Sequence, residues 1–152
     1  MTKNEMKNIT HKWLLEKNFK KDGFAFYHLL DGFDICVSFL KDRFDECYNN
    51  QIGFFLHVDE NAWGQIDVNM TQEYPDFFPS YDNATNPGVI VGKHTGFYYE
   101  LWNKETYIEC LDKIYDKYIQ PYFDKGVEYM KEGIINNIYN LHNKTKEIIR
   151  NM

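Results

Sequence analysis

The chain has 152 residues and a mass of 18.3 kDa, the size of one ordinary domain, and its 43% hydrophobic and 18% aromatic residues argue against a disordered protein. Its net charge of −6 is unevenly spread, because residues 1–21 sum to +4, residues 22–109 to −11 and residues 110–152 to +1. The acidic middle section disfavours nucleic-acid binding, which needs a phosphate-neutralising surface, and suits either a basic protein partner or simple solvation.

The compartment is indicated by what the chain lacks. No apolar run approaches the roughly 18 residues of a membrane-spanning helix, and the first residues, MTKNEMKNITHKW, lack the apolar core of a secretory signal. Cys36, Cys47 and Cys110 have no paired spacing, as is typical of reduced thiols. We therefore predict a cytoplasmic protein without a membrane segment.

The N-terminal residues predict an amphipathic helix that ends near Asn18. Thr2 and Glu5 have the spacing of a capping box, in which a hydroxyl and a carboxylate accept hydrogen bonds from orphan amides at the helix start. Apolar side chains then recur at helical spacing, at Met6, Ile9 and Trp13.

The stretch GFAFYHLLDGFDICVSFL predicts a β-hairpin. Two alternating runs flank Asp31-Gly32, a dipeptide that tolerates the positive φ angles of a tight turn. A two-residue loop there places eight side chains on one apolar face, in the pairs Leu30 with Phe33, His28 with Ile35, Phe26 with Val37 and Phe24 with Phe39. The opposite face, which is predicted to be more exposed to solvent, carries Ala25, Tyr27, Asp34, Cys36 and Ser38.

The remaining elements complete the predicted fold. Residues 51–58, 65–70, 88–92 and 97–102 read as strands, and Asn103 as the cap of a helix interrupted near Pro121 and ended by Gly126. That helix has an apolar stripe of Ile108, Leu111, Tyr115, Tyr118 and Tyr122. A last helix has a seam of Ile134, Ile138, Leu141, Thr145 and Ile148, which faces the sheet, the preceding helix or a second subunit, so a homodimer stays open.

We therefore predict that residues 1–152 form a single α+β domain. Its core is an antiparallel five- or six-stranded meander sheet, with the N-terminal helix and two or three C-terminal helices packed on one face.

Residues 73–88, EYPDFFPSYDNATNPG, are aromatic for a loop rich in turn-forming residues. We favour a lid that finishes the core, but an exposed patch for a partner, or a groove under a partial cover for a ligand, is the alternative. The candidate binding residues on these interpretations are Trp63, Tyr74, Phe77, Phe78, Tyr81, Tyr98, Glu100 and Trp102.

Polar candidates for chemistry are few. His57 and Asp59 lie on the same side of a strand, and with His94 they make a candidate polar site. His94 lies in GVIVGKHT, whose spacing is one residue short of a phosphate-binding loop, and no two histidines have the spacing of a helical metal pair. His28 is predicted to be a core histidine unless His57 or His94 joins it in space. We assign no metal, no cofactor and no catalytic residue.

The segment FKKDGFAFYHLLDGFDICVSFLKDR resembles the opening of an uncharacterised bacterial family, domain of unknown function number 4304. GVIVGKHTGFYYELWN is similar to the strand pair that precedes the helices of that family, and IQPYFDKG is similar to its helix ending. The resemblance spans about residues 10–125. It implies a compact α+β fold and carries over no site residue.

The preferred interpretation is a non-catalytic protein-binding module, of which a toxin-neutralising immunity protein is a specific version. It would bind a basic protein through an acidic, aromatic-bearing sheet face. The alternative is a small-ligand-binding protein or a hydrolase-like enzyme with a site under residues 73–88, using His57, Asp59 or His94.

Overall fold

A computed structural model describes most of the chain. The described residues are 1–41, 43, 46–57, 65–66, 79–82, 86–90, 96–136 and 143–152. The order of elements is α1 (Lys3–Glu16), β1 (Lys20–Asp22), β2 (Ala25–Leu29), β3 (Phe33–Lys41), β4 (Cys47–Leu56), β5 (Gln65–Ile66), β6 (Pro79–Asp82), β7 (Asn86–Ile90), β8 (Gly96–Tyr98), a 3-10 turn (Tyr99–Leu101), α2 (Lys104–Tyr118), α3 (Gln120–Lys125), α4 (Val127–Ile135) and α5 (Asn143–Asn151).

The predicted α+β fold is confirmed. Strands β1 to β5 pair in sequence order and antiparallel, and β8 pairs with the first residues of β4, which makes a six-stranded sheet. The helices pack on one face of it. Aromatic contacts join the layers, since Tyr122 of α3 packs on Phe33 and Phe54 and Tyr107 of α2 packs on Phe97.

The β2–β3 hairpin has the predicted register. Phe26 is opposite Val37 and His28 is opposite Ile35, and the Leu30 amide donates to the Phe33 carbonyl across the turn at 2.9 Å. Gly32 adopts φ +85°, a conformation that an L side chain rarely takes. The predicted alternation of buried and more exposed side chains is present along β3, where every second side chain from Phe33 to Phe39 is buried.

Two details of the first strands differ from the prediction. Phe24 is 88% exposed, because β2 begins at Ala25 and Phe24 lies in a turn after Gly23. That turn leads back to β1, a three-residue strand of charged side chains that the sequence pattern did not predict. Three charged residues have no apolar alternation, so only their pairing with β2 makes them a strand.

The two strands in and after the aromatic segment also differ from the prediction. β6 lies inside what was predicted as a loop, and it pairs with β7 as a separate two-stranded sheet rather than joining the meander. The predicted strand at 88–92 corresponds to β7, and the predicted strand at 97–102 is shorter, because the chain enters a 3-10 turn after Tyr98.

Helix boundaries follow the predicted signals. The Thr2 and Glu5 capping box starts α1, and Asn103 caps α2 by accepting a hydrogen bond from the Thr106 amide at 2.9 Å. Pro121 lies in the first turn of α3, and Gly126, at φ +56°, separates α3 from α4. Four C-terminal helices are described rather than two or three. Ile134 and Ile149 are buried, Thr145 and Ile148 are half-buried, and the predicted seam positions Ile138 and Leu141 lie outside the described residues.

Helix α1 is joined to α2 by polar contacts within the apolar layer. The Thr10 hydroxyl donates to the Met6 carbonyl at 2.9 Å, so the Tyr107 hydroxyl donates in its 2.6 Å bond to Thr10. Nearby, the Trp13 indole donates to Asp112 at 2.9 Å. No helix in the described ranges combines the length and the apolar composition that crossing a membrane would require.

We predict that Thr10→Val destabilises the protein more than Tyr107→Phe. The valine leaves the buried Tyr107 hydroxyl without its acceptor, at a cost of about 2 kcal/mol, whereas the phenylalanine leaves Thr10 bonded to Met6 and costs about 1 kcal/mol. Urea unfolding of both variants and of the double variant measures this. Adding Tyr107→Phe to Thr10→Val should restore part of the lost stability, because it removes the unpaired hydroxyl. A double variant whose loss equals the sum of the two single losses would contradict the assignment of the Tyr107 hydroxyl as the donor to Thr10.

We also predict that Gly32→Ala costs more than Gly23→Ala, although both glycines have positive φ. A Cβ at Gly32 would lie 3.1 Å from Met152 Cε and 3.4 Å from Val127 Cγ2, whereas a Cβ at Gly23 meets nothing within 4 Å. Backbone strain should cost about 1 kcal/mol at each position, and crowding should add about 1 kcal/mol at Gly32 alone. If urea unfolding shows that both substitutions lower the free energy of unfolding equally, then Gly32 is not packed tightly against Val127 and Met152.

Candidate functional site

The face of the sheet opposite the helices carries a group of aromatic and polar side chains. We call Tyr27, Asp34, Cys36, Phe55 and His57 the open-face cluster. Tyr27 comes from β2, Asp34 and Cys36 from β3 and Phe55 from β4, and His57 directly follows β4. Tyr27 is opposite Cys36, and Asp34 is opposite Phe55. Tyr27, Asp34, Cys36 and Phe55 are half-buried and His57 is exposed. Period-two alternation places them here, because their neighbours along each strand point into the core.

His57 and Asp34 form a hydrogen-bonded pair. His57 follows the last residue of β4, and its amide donates to the Gly32 carbonyl at 2.8 Å, which holds the residue beside the hairpin turn. Its Nε2 is 2.7 Å from Asp34 Oδ1, with 49% of the His57 side chain and 21% of the Asp34 side chain exposed. The carboxylate therefore orients the imidazole.

Tyr27 lies across β3 from Phe55. The two ring centroids are 5.6 Å apart with the planes tilted by 43°, and the Tyr27 hydroxyl is hydrogen-bonded to Cys36. Burial raises the pKa of Tyr27, and the charges of Cys36, Asp22 and Asp34 raise it further, so the hydroxyl stays protonated at neutral pH. The glycine opposite Cys36 on β4, Gly53, has no side chain to separate the two rings.

The surroundings of the open-face cluster differ between the two ends of the sheet. Leu29, opposite Asp34 on β2, is 61% exposed and extends the apolar surface. Towards the other end of the sheet the same face is mixed, because Cys47 is buried at 2% exposure whereas Leu40 is 41% exposed.

Three of the predicted binding residues have described side chains. Tyr98 is half-buried in β8, and Glu100 is exposed in the 3-10 turn. Trp102 corrects the prediction, because it is only 4% exposed and packs on Phe97 and Tyr107, so its ring is a core contact rather than part of a binding surface. It finishes the apolar layer where α2 begins.

The other predicted positions are not described at side-chain level. Tyr81 lies in β6, where the backbone alone is described. The remaining candidates lie outside the described residues, and they are Asp59, Trp63, Tyr74, Phe77, Phe78 and His94. The proposal of a lid or an exposed patch at residues 73–88 therefore stays a prediction.

His28 and His57 lie on opposite faces of the sheet and do not converge. His28 is half-buried on the core side, with its ring centroid 4.5 Å from that of Phe123 and 5.5 Å from that of Phe19. Its location agrees with the prediction of a core histidine. Across the ranges with described side chains, no three His, Cys, Asp or Glu residues gather as metal ligands would.

Two adjoining grooves lie on the helical side, where α1 meets the start of α2. Their volumes are about 310 and about 390 Å³, and they share Asn8, Ile9 and Lys104. The first is floored by Trp13 and Ile108. Their surfaces are mainly apolar and no pair of reactive groups faces into them, so they offer no evident chemistry.

The sequence pattern predicted that Tyr27, Asp34 and Cys36 lie on the solvent-exposed face of the hairpin, but it did not indicate that they form a site. Phe55 and the partnership of Asp34 with His57 were missed, because they depend on the β3–β4 register, which sets Phe33 opposite Leu56. The alternation of residues 51–58 combined with that of β3 was the signal that could have found them.

Comparison with known proteins adds no relative: no family model matches the chain, and no curated protein or solved structure shows significant similarity to it.

We predict that Cys36 is the cysteine that iodoacetamide modifies first in the folded protein. None of the three cysteines forms a disulfide, and Cys47 and Cys110 are buried. Burial raises the pKa of Cys110 to about 12, so roughly one molecule in ten thousand carries the reactive thiolate there at pH 8. Peptide mapping by mass spectrometry measures the order. Labelling of Cys47 or Cys110 at the rate of Cys36 would contradict it, and labelling in urea, where all three react, is the control.

Proposed function

We propose that this protein is a non-catalytic protein-binding module that binds a basic partner through the open-face cluster. The observation that carries the proposal is the pair of partly exposed rings, Tyr27 and Phe55, beside the Asp34 carboxylate on the face that the helices leave open. Rigid aromatic side chains bury much area at little cost in rotamer entropy, which is why they dominate binding energy at interfaces.

Charge supports a basic partner. The section of the chain that supplies β2, β3 and β4 belongs to residues 22–109, which sum to −11. Complementary charge speeds encounter and sets partner choice, and its effect is screened by salt. A small, acidic, single-domain protein of this kind suits the role of an immunity protein that neutralises a basic toxin in the cytoplasm.

The resemblance to domain of unknown function family number 4304 stays a prediction. It is consistent with this proposal, because it implies an α+β fold without assigned catalytic residues, and it is the basis for proposing a bacterial origin. A homodimer stays a separate prediction, because it rests on the apolar seam of the last helix and not on the open-face cluster.

A second candidate, a hydrolase-like enzyme or a small-ligand-binding protein, is favoured by one observation. An aspartate that orients a histidine, as Asp34 orients His57, is one part of a nucleophilic catalytic arrangement. Among the described side chains, no hydroxyl or thiol is hydrogen-bonded to the other ring nitrogen of His57, Nδ1, which is the one that would have to activate a nucleophile. The binding function therefore has the stronger support.

The proposal is tested by isothermal titration calorimetry with whichever basic proteins the genes adjacent to this one encode. We expect Tyr27→Ala and Phe55→Ala each to weaken binding about tenfold or more, because each removes a rigid ring from the contact. Affinity should also fall when the salt concentration rises from about 0.05 M to about 0.5 M.

Phe24→Ala is the matched control, since Phe24 is a highly exposed aromatic residue outside the open-face cluster. It should leave the affinity unchanged, and circular dichroism should show that all three variants are folded. Equal affinities for Tyr27→Ala, Phe55→Ala and the parent protein would refute the proposed surface. Turnover of a substrate that His57→Gln abolishes would establish the enzyme instead.

A further inference from the structure

Asp34 is placed so that one side of its carboxylate remains available. Its Oδ1 contacts His57 Nε2 at 2.7 Å, and the side chain is 21% exposed. Among the hydrogen bonds within the described ranges, none engages Oδ2. A carboxylate oxygen has two lone pairs, so Oδ1 can also accept a second hydrogen bond.

The two rings of the cluster lie beside this carboxylate. Phe55 is directly opposite Asp34 in the β3–β4 register, and its ring contacts that of Tyr27 on the other neighbouring strand. Tyr27 is also close enough to Asp34 for the carboxylate charge to act on its hydroxyl. An oriented carboxylate beside a pair of aromatic rings in mutual contact is thus built into three adjacent strands.

This arrangement discriminates between the two kinds of cationic side chain. A guanidinium is planar, weakly hydrated and presents parallel N–H donors, so it can stack on a ring and donate to a carboxylate at the same time. An ammonium is strongly hydrated and acts as a point charge, so it gains less from an exposed ring. His57 adds to the preference, because it holds the carboxylate in one orientation.

We propose that Tyr27, Asp34 and Phe55 form a subsite for an arginine side chain of the partner, with His57 as the positioning residue. The proposal rests on the protein-binding function proposed above and names the chemistry that the partner must present. The partner arginine stacks on Phe55 or Tyr27 and donates hydrogen bonds to Asp34.

The test uses two peptides of equal charge, one with four Gly-Arg repeats and one with four Gly-Lys repeats, each acetylated and amidated. Amide chemical shifts of the isotope-labelled protein are followed during each titration. We expect the arginine peptide to bind about fivefold more tightly, with the largest shifts at Asp34 and Phe55. Equal affinities, or no shift at these residues with about 5 mM arginine peptide, would overturn the subsite.

Variants separate specific recognition from net charge. Asp34→Asn should lower the affinity for the arginine peptide about tenfold, and Phe55→Leu, which keeps an apolar side chain but removes the ring, should bring the two peptides to similar affinities. Asp116→Asn is the control, because it removes one negative charge from an exposed position on α2, on the helical side. If Asp116→Asn lowers the affinity for the arginine peptide as much as Asp34→Asn does, net charge alone explains the effect and the subsite is refuted.

The two proposals fail in different ways. If a basic protein encoded by an adjacent gene binds in a manner that depends on Tyr27 and Phe55, yet the two peptides bind alike, the arginine subsite is wrong and the binding function stands. If His57→Gln lowers the preference for arginine without changing the affinity for the lysine peptide, its positioning role is supported, because a merely structural loss would weaken both peptides.

Discussion

The alternation of side chains along β2, β3 and β4 decides which groups the helices cover and which remain on the open face of the sheet. A slip of one residue would exchange the two sets, placing Asp34 and His57 under the helices and Ile35 and Leu56 in solvent. The turn at Gly32 prevents that slip, since its backbone takes φ +85° and it lies against the C-terminal helices near Val127. The strand register, the turn at Gly32 and the packing of the C-terminal helices therefore depend on one another.

That constraint also accounts for how the open-face cluster is held. Its members lie on three adjacent strands whose opposite faces are buried in a single core, so the sheet cannot flex locally without disturbing contacts such as that between Phe33 and Tyr122. Groups fixed in this way lose little conformational entropy when a partner binds. Rigidity of the scaffold, rather than the number of contacts, is what makes a small surface useful for recognition.

The pair of His57 and Asp34 can be interpreted in two ways that the same geometry allows. In catalysis, the aspartate would serve the histidine by orienting it toward a nucleophile. In recognition, the histidine would serve the aspartate by fixing the carboxylate for a cationic ligand. The surroundings favour the second interpretation, because the neighbours are the rings of Tyr27 and Phe55, while the described grooves lie on the other side of the molecule, between α1 and α2.

Local rules in the sequence determined the fold class, the capping box at Thr2, the cap at Asn103 and the β2–β3 register, because each depends on neighbouring residues or on strict period-two alternation. Tertiary structure alone decided the rest. Lys20–Asp22 becomes a strand only by pairing with β2, Trp102 is drawn into the core by Phe97 and Tyr107, and His57 meets Asp34 only through the β3–β4 register. These contacts join residues far apart in the chain, and side-chain periodicity within one segment carries no information about which distant segment it will face.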